Sequence, residues 1–234
     1  SAPGEDGRGL RLGIWEELKE GWQHIRSKPI ISFAMLNMTT ATTLILVLSV
    51  VSAPFVKRIL GIRADDAVYI LAPAGIGVGL GALLTQRLHR RIPIFRLVNL
   101  GLLGFGISLI AFGSTNWIGR YLASGLPEWA VVQWLLGTVI VLALFMGLAF
   151  AFITIPAQTI LQEHSPESLR GKIFATQQTM GNVASILPIL FIGGLADLFG
   201  IAEVIVFVGV FVLGIGVFVL RHYGGQMGAS GTPV

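Results

Sequence analysis

The sequence predicts an all-α membrane protein with six transmembrane helices, and three observations support this fold class. The 234 residues are 54% hydrophobic and only 12% charged, whereas soluble domains carry roughly a quarter charged residues. The mean hydropathy is +0.80. The apolar residues fall into blocks of about 20, which is the length that a helix needs to cross about 30 Å of hydrocarbon.

Six apolar stretches are the predicted membrane spans. They cover residues 30–55, 67–84, 97–112, 131–155, 173–198 and 201–220. Backbone N–H and C=O groups in lipid must be paired within their own segment, and barrel strands would appear as short alternating runs, so we predict helices. Prolines and glycines punctuate the short connections, as expected at helix ends. The predicted transmembrane domain covers residues 30–222, and a flexible tail follows at 223–234.

Residues 1–29 are predicted to form a cytoplasmic linker that contains an amphipathic helix. Ile14, Leu18, Trp22 and Ile25 recur at helical spacing, with acidic and basic residues on the remaining faces. Such a helix either lies at the membrane surface or packs as a soluble linker helix on another domain. The first nine residues are polar and glycine-rich, so we expect no signal peptide.

Lys and Arg residues are distributed unequally between the two predicted sides of the membrane. One side holds twelve of them: Arg8, Arg11, Lys19, Arg26, Lys28, Arg87, Arg90, Arg91, Arg96, Arg170, Lys172 and Arg221. The other side holds four: Lys57, Arg58, Arg63 and Arg120. Cytoplasmic loops are the positive ones, so both termini are predicted to be cytoplasmic in a multi-pass protein of the plasma or inner membrane. We therefore attribute the net charge of +4 to loop residues that set the orientation of the protein in the membrane, and we expect no nucleic-acid partner.

No enzyme, cofactor or metal site is predicted. The chain has no GxSxG nucleophile motif, and it has no cysteine for a thiolate site. Its four histidines lie far apart in polar connections, which is more typical of solvated side chains than of metal ligands.

Glycines alternate in the second predicted span, at Gly75, Gly77, Gly79 and Gly81. They lack the GxGxxG spacing of a dinucleotide site. Gly75 with Gly79, and Gly77 with Gly81, lie four residues apart, and this spacing allows another helix to approach closely. We interpret them as packing residues.

The middle of each predicted span contains no ionisable residue, so no central proton-relay carboxylate is expected. Asp197 and Glu203 flank the tight turn between the last two spans. They are interpreted either as structural, at helix ends or in local hydrogen bonds, or as functional.

Neutral polar residues form stripes in three of the apolar spans, at positions that would turn away from lipid. The candidates for a substrate pathway are Asn37, Thr40, Thr154, Gln158, Gln162, Gln178 and Asn182. Nearby Pro156 and Pro188 free backbone carbonyls and let helices bend around a cavity. The alternative interpretation of the stripes is hydrogen bonding between helices, which contributes about 0.6 kcal/mol per bond.

Two parts of the sequence resemble the major facilitator superfamily. The segment 81–91, with Gly81, Arg87, Arg90 and Arg91, resembles the cytoplasmic loop between the second and third helices of a six-helix repeat, although the Asp of the fullest motif is absent. In that family the glycine and the clustered arginines clasp helix ends and regulate opening, so this segment is the predicted gating loop. Residues 156–174 and 193–200 resemble the tenth and eleventh helices of drug, macrolide or siderophore exporters, and residues 15–29 resemble the linker into their second half.

The resemblance implies one six-helix repeat of a major facilitator fold, namely the C-terminal half. It implies half of a secondary active transporter that moves a small amphipathic solute by alternating access, in the direction of export. Its expected partners are membrane lipid, the solute and a second six-helix half, which would be a missing segment, a separate chain or a second copy. The alternative is a non-transporting scaffold subunit, derived from a transporter, in a larger membrane complex.

Overall fold

The computed structural model describes residues 29–55, 68–123, 125 and 127–228, and every regular element in these ranges is helical. The helices are α1 (Pro29–Phe55), α2 (Val68–Leu88), α3 (Ile94–Ala123), α4 (Glu128–His164), α5 (Arg170–Leu198) and α6 (Ile201–Gly228), and a 3-10 turn, Glu167–Leu169, joins α4 to α5. The predicted all-α fold with six long helices is confirmed. The predicted linker helix and the end of the predicted tail lie outside the described residues.

Five helices, α1 and α3 to α6, are long and apolar enough to cross a membrane. α2 has 21 residues, and at about 1.5 Å per residue these cover the roughly 30 Å of a hydrocarbon core. Helices that follow each other run in opposite directions, so the bundle has two ends. We call one of them the arginine end, because it carries Arg87, Arg90 and Arg91 at the close of α2, and the other the opposite end.

α2 and α4 cross with their backbones in contact. A Cβ atom added at Gly77 would contact the carbonyl group of Leu144, and one added at Gly147 would contact the carbonyl group of Ala74. A Cβ at Gly81 would lie 2.8 Å from the carbonyl oxygen of Leu148, which also belongs to α4. Only glycine permits so close an approach at this crossing, as in other small-residue interfaces between membrane helices.

The other glycine pair of α2 lies on an open face. Nothing lies within 4 Å of a Cβ added at Gly75 or Gly79, and the neighbouring Ile76 and Leu80 are exposed. The predicted packing role is therefore confirmed for Gly77 and Gly81, and within the described residues no helix uses the Gly75 and Gly79 pair.

α3 is the central helix of the apolar core. It packs against α4 on one side and α6 on the other, and its Leu102 and Leu109 are fully buried. Glycines again permit close approach: a Cβ at Gly101 would lie 2.8 Å from the carbonyl oxygen of Ala149, and a Cβ at Gly209 would lie 3.0 Å from that of Gly106.

α5 packs mainly against α1, and it makes few contacts with α6 beyond the turn that joins them. Much of its surface is left uncovered. The apolar side chains Val183, Ile186, Leu187, Leu190 and Phe191 are all more than half exposed. This face is therefore available to lipid or to a protein partner.

Several helices continue beyond the apolar stretches that predict them. α3 runs to Ala123 and α4 to His164, because polar residues such as Asn116 and Gln158 extend a helix as well as apolar ones once it has started. α6 runs to Gly228, into the segment predicted as a tail. Hydropathy marks the part of a helix that lies in hydrocarbon, not the helix itself.

Candidate functional site

Polar side chains from α1, α4 and α5 meet in a hollow towards the arginine end, which we call the polar chamber. Its volume is about 320 Å³. It is lined by Met38, Ala41, Thr42, Ile45, Phe150, Thr154, Gln158, Phe174, Gln177 and Gln178. Three predicted pathway residues, Thr154, Gln158 and Gln178, therefore share one cavity.

Two further pathway candidates extend this polar face along the same helices. Gln162 lies one turn beyond Gln158 on α4, and Asn182 lies one turn beyond Gln178 on α5, and all four side chains are exposed. The Gln178 Nε2 donates to Asn182 Oδ1 at 3.5 Å. Lipid tails cannot form hydrogen bonds, so each amide donor or acceptor that lacks a protein partner costs several kcal/mol when it is moved from water into hydrocarbon. The face that carries these amides is therefore unsuited to lipid.

Asn37 and Thr40 lie inside the bundle and do not line the polar chamber. Asn37 is fully buried, and its Nδ2 donates to the carbonyl oxygen of Phe33 at 2.7 Å. Its Oδ1 has no hydrogen-bond partner among the described residues. Thr40 Oγ1 donates to the carbonyl oxygen of Leu36 at 2.9 Å, so its hydroxyl is satisfied within its own helix.

Hydrogen bonds between side chains join α1 to α5. The Nε2 of Gln177, which is only 3% exposed, donates to Thr42 Oγ1 at 3.5 Å. The Ser185 hydroxyl donates its proton to the carbonyl oxygen of Gly181, and its Oγ lies 3.3 Å from Thr43 Oγ1, from which it can accept a hydrogen bond. Between them, a Cβ at Gly181 would lie 2.9 Å from Thr42 Cβ, so the helices are close. Interhelical bonding, the alternative interpretation of the polar stripes, applies to these residues.

Sequence reasoning missed Gln177, although a signal was present. Gln177, Gly181 and Ser185 are spaced by four residues, so they form one polar, small-residue stripe that is typical of a helix–helix contact. Gln178, which is adjacent in sequence, points about 100° away around the helix and remains exposed. Two neighbouring glutamines therefore have different surroundings.

A second cavity, which we call the apolar chamber, lies towards the opposite end and has a volume of about 460 Å³. It is lined by Ile45, Leu48, Ser49, Val51, Ser52, Phe55, Leu71, Ala74, Val78, Phe105, Phe112, Ala143, Met146, Gly147, Phe150 and Ile205. Nothing in the polar stripes indicated it, because its walls come from five helices that are far apart in sequence.

The predicted gating loop lies at the arginine end, at the close of α2. Gly81 is buried in the crossing with α4, and its carbonyl oxygen accepts a hydrogen bond of 2.7 Å from Thr85 Oγ1. Arg87, Arg90 and Arg91 are close together and, with Gln86 and Leu88, line a polar surface hollow. The glycine thus fixes the helix end from which the arginines project.

A short turn at the arginine end connects α4 to α5. Arg170 Nε donates to the carbonyl oxygen of Ser165 at 3.3 Å, and Arg170 Nη1 lies 4.0 Å from Glu167 Oε1. The backbone N–H of Arg170 also donates to the carbonyl oxygen of Pro166 at 3.1 Å. These contacts give Pro166, Glu167 and Arg170 a local structural role in reversing the chain.

At the opposite end, Gly200 makes the turn between α5 and α6 with a φ of +103°, which is the one positive φ among the described residues. Glu203, in the first turn of α6, accepts a hydrogen bond of 3.2 Å at Oε1 from Trp117 Nε1 of α3. This bond ties the start of α6 to the last turns of α3, so Glu203 has the structural role that was one of its two interpretations.

Comparisons with known proteins agree with the helical architecture. The profile of the Major Facilitator Superfamily matches residues 2–187 of the chain. The uncharacterized MFS-type transporter YfiS of Bacillus subtilis (strain 168) is 27% identical over 207 residues, which are 87% of this chain and 45% of that protein. The chain thus spans about half the length of this relative. No solved structure matches the chain.

Proposed function

This chain belongs to the major facilitator superfamily and is a multi-pass membrane protein, and we propose that it is the C-terminal half of a secondary active transporter. It exports a small amphipathic solute by alternating access. Transporters built from two such repeats bind their solute between the halves, near the middle of the bilayer. The observation that carries the proposal is the exposed amide face of α4 and α5.

That face requires a covering that lipid does not provide. Gln158, Gln178 and Asn182 are exposed on long helices of high hydropathy. The bond between Gln178 and Asn182 uses only one donor and one acceptor of these amides, and amide groups left without partners are costly in hydrocarbon. A second six-helix half placed against α1, α4 and α5 would exclude lipid and leave a water-filled path between the halves. Because the chain spans 45% of its relative, a preceding segment of the same reading frame is our first choice for that half, ahead of a separate chain or a second copy.

The pathway residues have different parts in this mechanism. Thr154, Gln158 and Gln178 hydrogen-bond the solute in the polar chamber, while Gln162 and Asn182 extend the path along α4 and α5. Asn37 and Thr40 join the path in a second conformation, in which α1 turns its buried face towards the chamber.

The arginine end is assigned to the cytoplasm, because cytoplasmic connections are enriched in Lys and Arg. Both termini then lie on the cytoplasmic side. Arg87, Arg90 and Arg91 regulate opening there by contacting the helix ends of the other half. The direction of transport, export, follows the resemblance of residues 156–174 and 193–200 to exporters.

The test measures exclusion of the uncharged fluorescent amine N-phenyl-1-naphthylamine from cells that express the full reading frame. Replacing Gln178 and Asn182 together with Leu removes two exposed amides, so we expect the cells to accumulate the dye as non-expressing cells do. Thr179→Leu is the matched control, because Thr179 is exposed on α5 and its hydroxyl bonds only to the carbonyl oxygen of Ala175, at 2.9 Å. Normal exclusion by a folded, membrane-inserted double variant contradicts the assigned role.

A further inference from the structure

We propose that the two chambers form one bipartite site for an uncharged amphiphile. The apolar chamber takes the hydrocarbon body of this molecule, and the polar chamber takes its hydrogen-bonding head. This inference rests on the proposed function and deepens it by naming the substrate class.

The apolar chamber has the walls and the size for a hydrocarbon body. Two aromatic pairs contribute to it: Phe55 and Phe112 stack with ring centroids 4.3 Å apart, and Phe105 and Phe150 lie 6.3 Å apart. Its volume of about 460 Å³ is roughly three times that of an apolar cavity known to bind benzene. Apolar cavities bind apolar groups because the contact removes apolar surface of both from water.

The serine hydroxyls of the apolar chamber do not make it polar. Ser49 Oγ donates to the carbonyl oxygen of Ile45 at 2.7 Å, and Ser52 Oγ donates to the carbonyl oxygen of Ser49 at 2.9 Å. Both donors are therefore satisfied within α1 and need no partner from a ligand.

The chamber has a closed floor and an open mouth. Phe55 and Ala143 at the floor are 1% and 2% exposed, whereas Ile45 and Leu71 at the mouth are 49% and 64% exposed. A ligand can therefore enter between α1 and α2 without displacing the core.

The two chambers adjoin. Ile45 of α1 and Phe150 of α4 line both of them. From Ser52 in the apolar chamber to Thr42 in the polar chamber, α1 rises about 15 Å at 1.5 Å per residue. A molecule of that length with one apolar and one polar end would fill both chambers at once.

The character of the head follows from the donors and acceptors of the polar chamber. Gln158, Gln177 and Gln178 offer amide groups. The Thr42 and Thr154 hydroxyls donate within their own helices, at 3.0 Å in each case, and offer a ligand only their oxygens as acceptors. None of the residues lining either chamber is ionisable. A charged head would lose its hydration without gaining a counter-charge, which is costly in a cavity of low polarity. Hydroxyl or amide heads exchange hydrogen bonds with water for hydrogen bonds with these side chains.

The experiment is photolabelling of the full chain in phosphatidylcholine nanodiscs. The probe is a monoacylglycerol with a diazirine in its acyl chain, and labelled residues are located by mass spectrometry. Two comparison probes carry the same chain on a phosphatidylcholine or on a trimethylammonium head. We expect the monoacylglycerol to label residues 45–55 and 143–150, and the trimethylammonium probe to label them about tenfold less, which corresponds to one 1.4 kcal/mol step in affinity.

Two variants fill the apolar chamber. Ser49→Phe blocks the mouth and Ala143→Leu occupies the floor, and each should reduce labelling about tenfold or more, because fewer methylenes of the probe can be buried. Thr179→Phe is the matched control, since Thr179 is exposed like Ser49 and its Oγ1 makes the same kind of bond, to the carbonyl oxygen of Ala175 at 2.9 Å, on α5 outside the chamber. It should label like the wild type.

Three results would overturn the inference. The first is unchanged labelling in both filling variants. The second is labelling by the phosphatidylcholine probe equal to that by the monoacylglycerol, which would make the chamber a site for bulk lipid. The third is labelling by the trimethylammonium probe equal to that by the monoacylglycerol. Dye exclusion is a separate measurement. An unlabelled chamber together with Gln178-dependent exclusion would reject the bipartite site alone, and a labelled chamber without exclusion would reject transport alone.

Discussion

The crossing of α2 and α4 allows a direct test of the packing argument, through Gly77→Ala. The added Cβ would lie 2.9 Å from the carbonyl carbon of Leu144 and 3.0 Å from Leu148 N, whereas ordinary contact begins at 3.4 Å. The atoms in contact are backbone atoms and cannot rotate away. The carbonyl oxygen of Leu144 would be closer still to the new Cβ. The two helices must therefore separate by well over half an ångström, and overpacking of this kind costs about 1–3 kcal/mol.

Alanine favours the helix over glycine by about 0.5–1 kcal/mol, so the expected net loss for Gly77→Ala is at most about 2.5 kcal/mol, and the close contact with the Leu144 carbonyl group places it in the upper part of that range. Gly75→Ala is the matched control on the same helix, two residues earlier, where nothing lies within 4 Å of the new Cβ. It should leave the stability unchanged or raise it slightly.

The free energy of unfolding would be measured by titrating SDS into mixed micelles and following helix content by circular dichroism. The packing argument predicts a lower transition midpoint for Gly77→Ala than for Gly75→Ala. Equal midpoints would refute it, because the two substitutions change intrinsic helix propensity in the same way and differ only in what the Cβ meets.

Two further predictions use the same unfolding measurement. A double-mutant cycle of Ser185→Ala and Thr43→Val should give a coupling of about 0.6 kcal/mol, the typical strength of an interhelical bond in a membrane; additive effects would show that the 3.3 Å contact contributes nothing. Gly200→Ala should destabilise by about 1–2 kcal/mol, because a φ of +103° is strained for an L-residue; Gly171→Ala, where the Cβ would meet nothing within 4 Å, is its control, and equal stability of the two variants would contradict the strain.

The presence of the helices was predictable because each membrane crossing requires a block of about 20 apolar residues. The lengths of the helices were less predictable, because the apolar part of α4 ends well before the helix does, at His164. The role of glycines was predictable only in part: spacing identified both pairs on α2, but it could not tell that Gly77 meets α4 while Gly75 meets nothing. Which face of a helix is covered depends on its neighbours, not on its own sequence.

The candidate site was also predictable only where spacing within one helix decides the arrangement. Spacing placed Thr154 and Gln158 on one face of α4, and they line the polar chamber together. It could not show that Asn37 is enclosed in the core while Gln178 is open, because the exposure of each depends on which helices pack against that face. The apolar chamber left no trace in any single segment, since its walls are assembled by the tertiary fold.

The uneven packing of the six helices has a mechanical consequence. α2, α3, α4 and α6 are joined by glycine-mediated close approaches, whereas α5 is attached laterally to α1 by the bonds of Gln177 and Ser185. A slide along the boundary between these two groups would leave the glycine-mediated approaches of the four helices intact, so the packing favours movement of α1 and α5 together. Both chambers straddle that boundary, and any shear along it changes their shape.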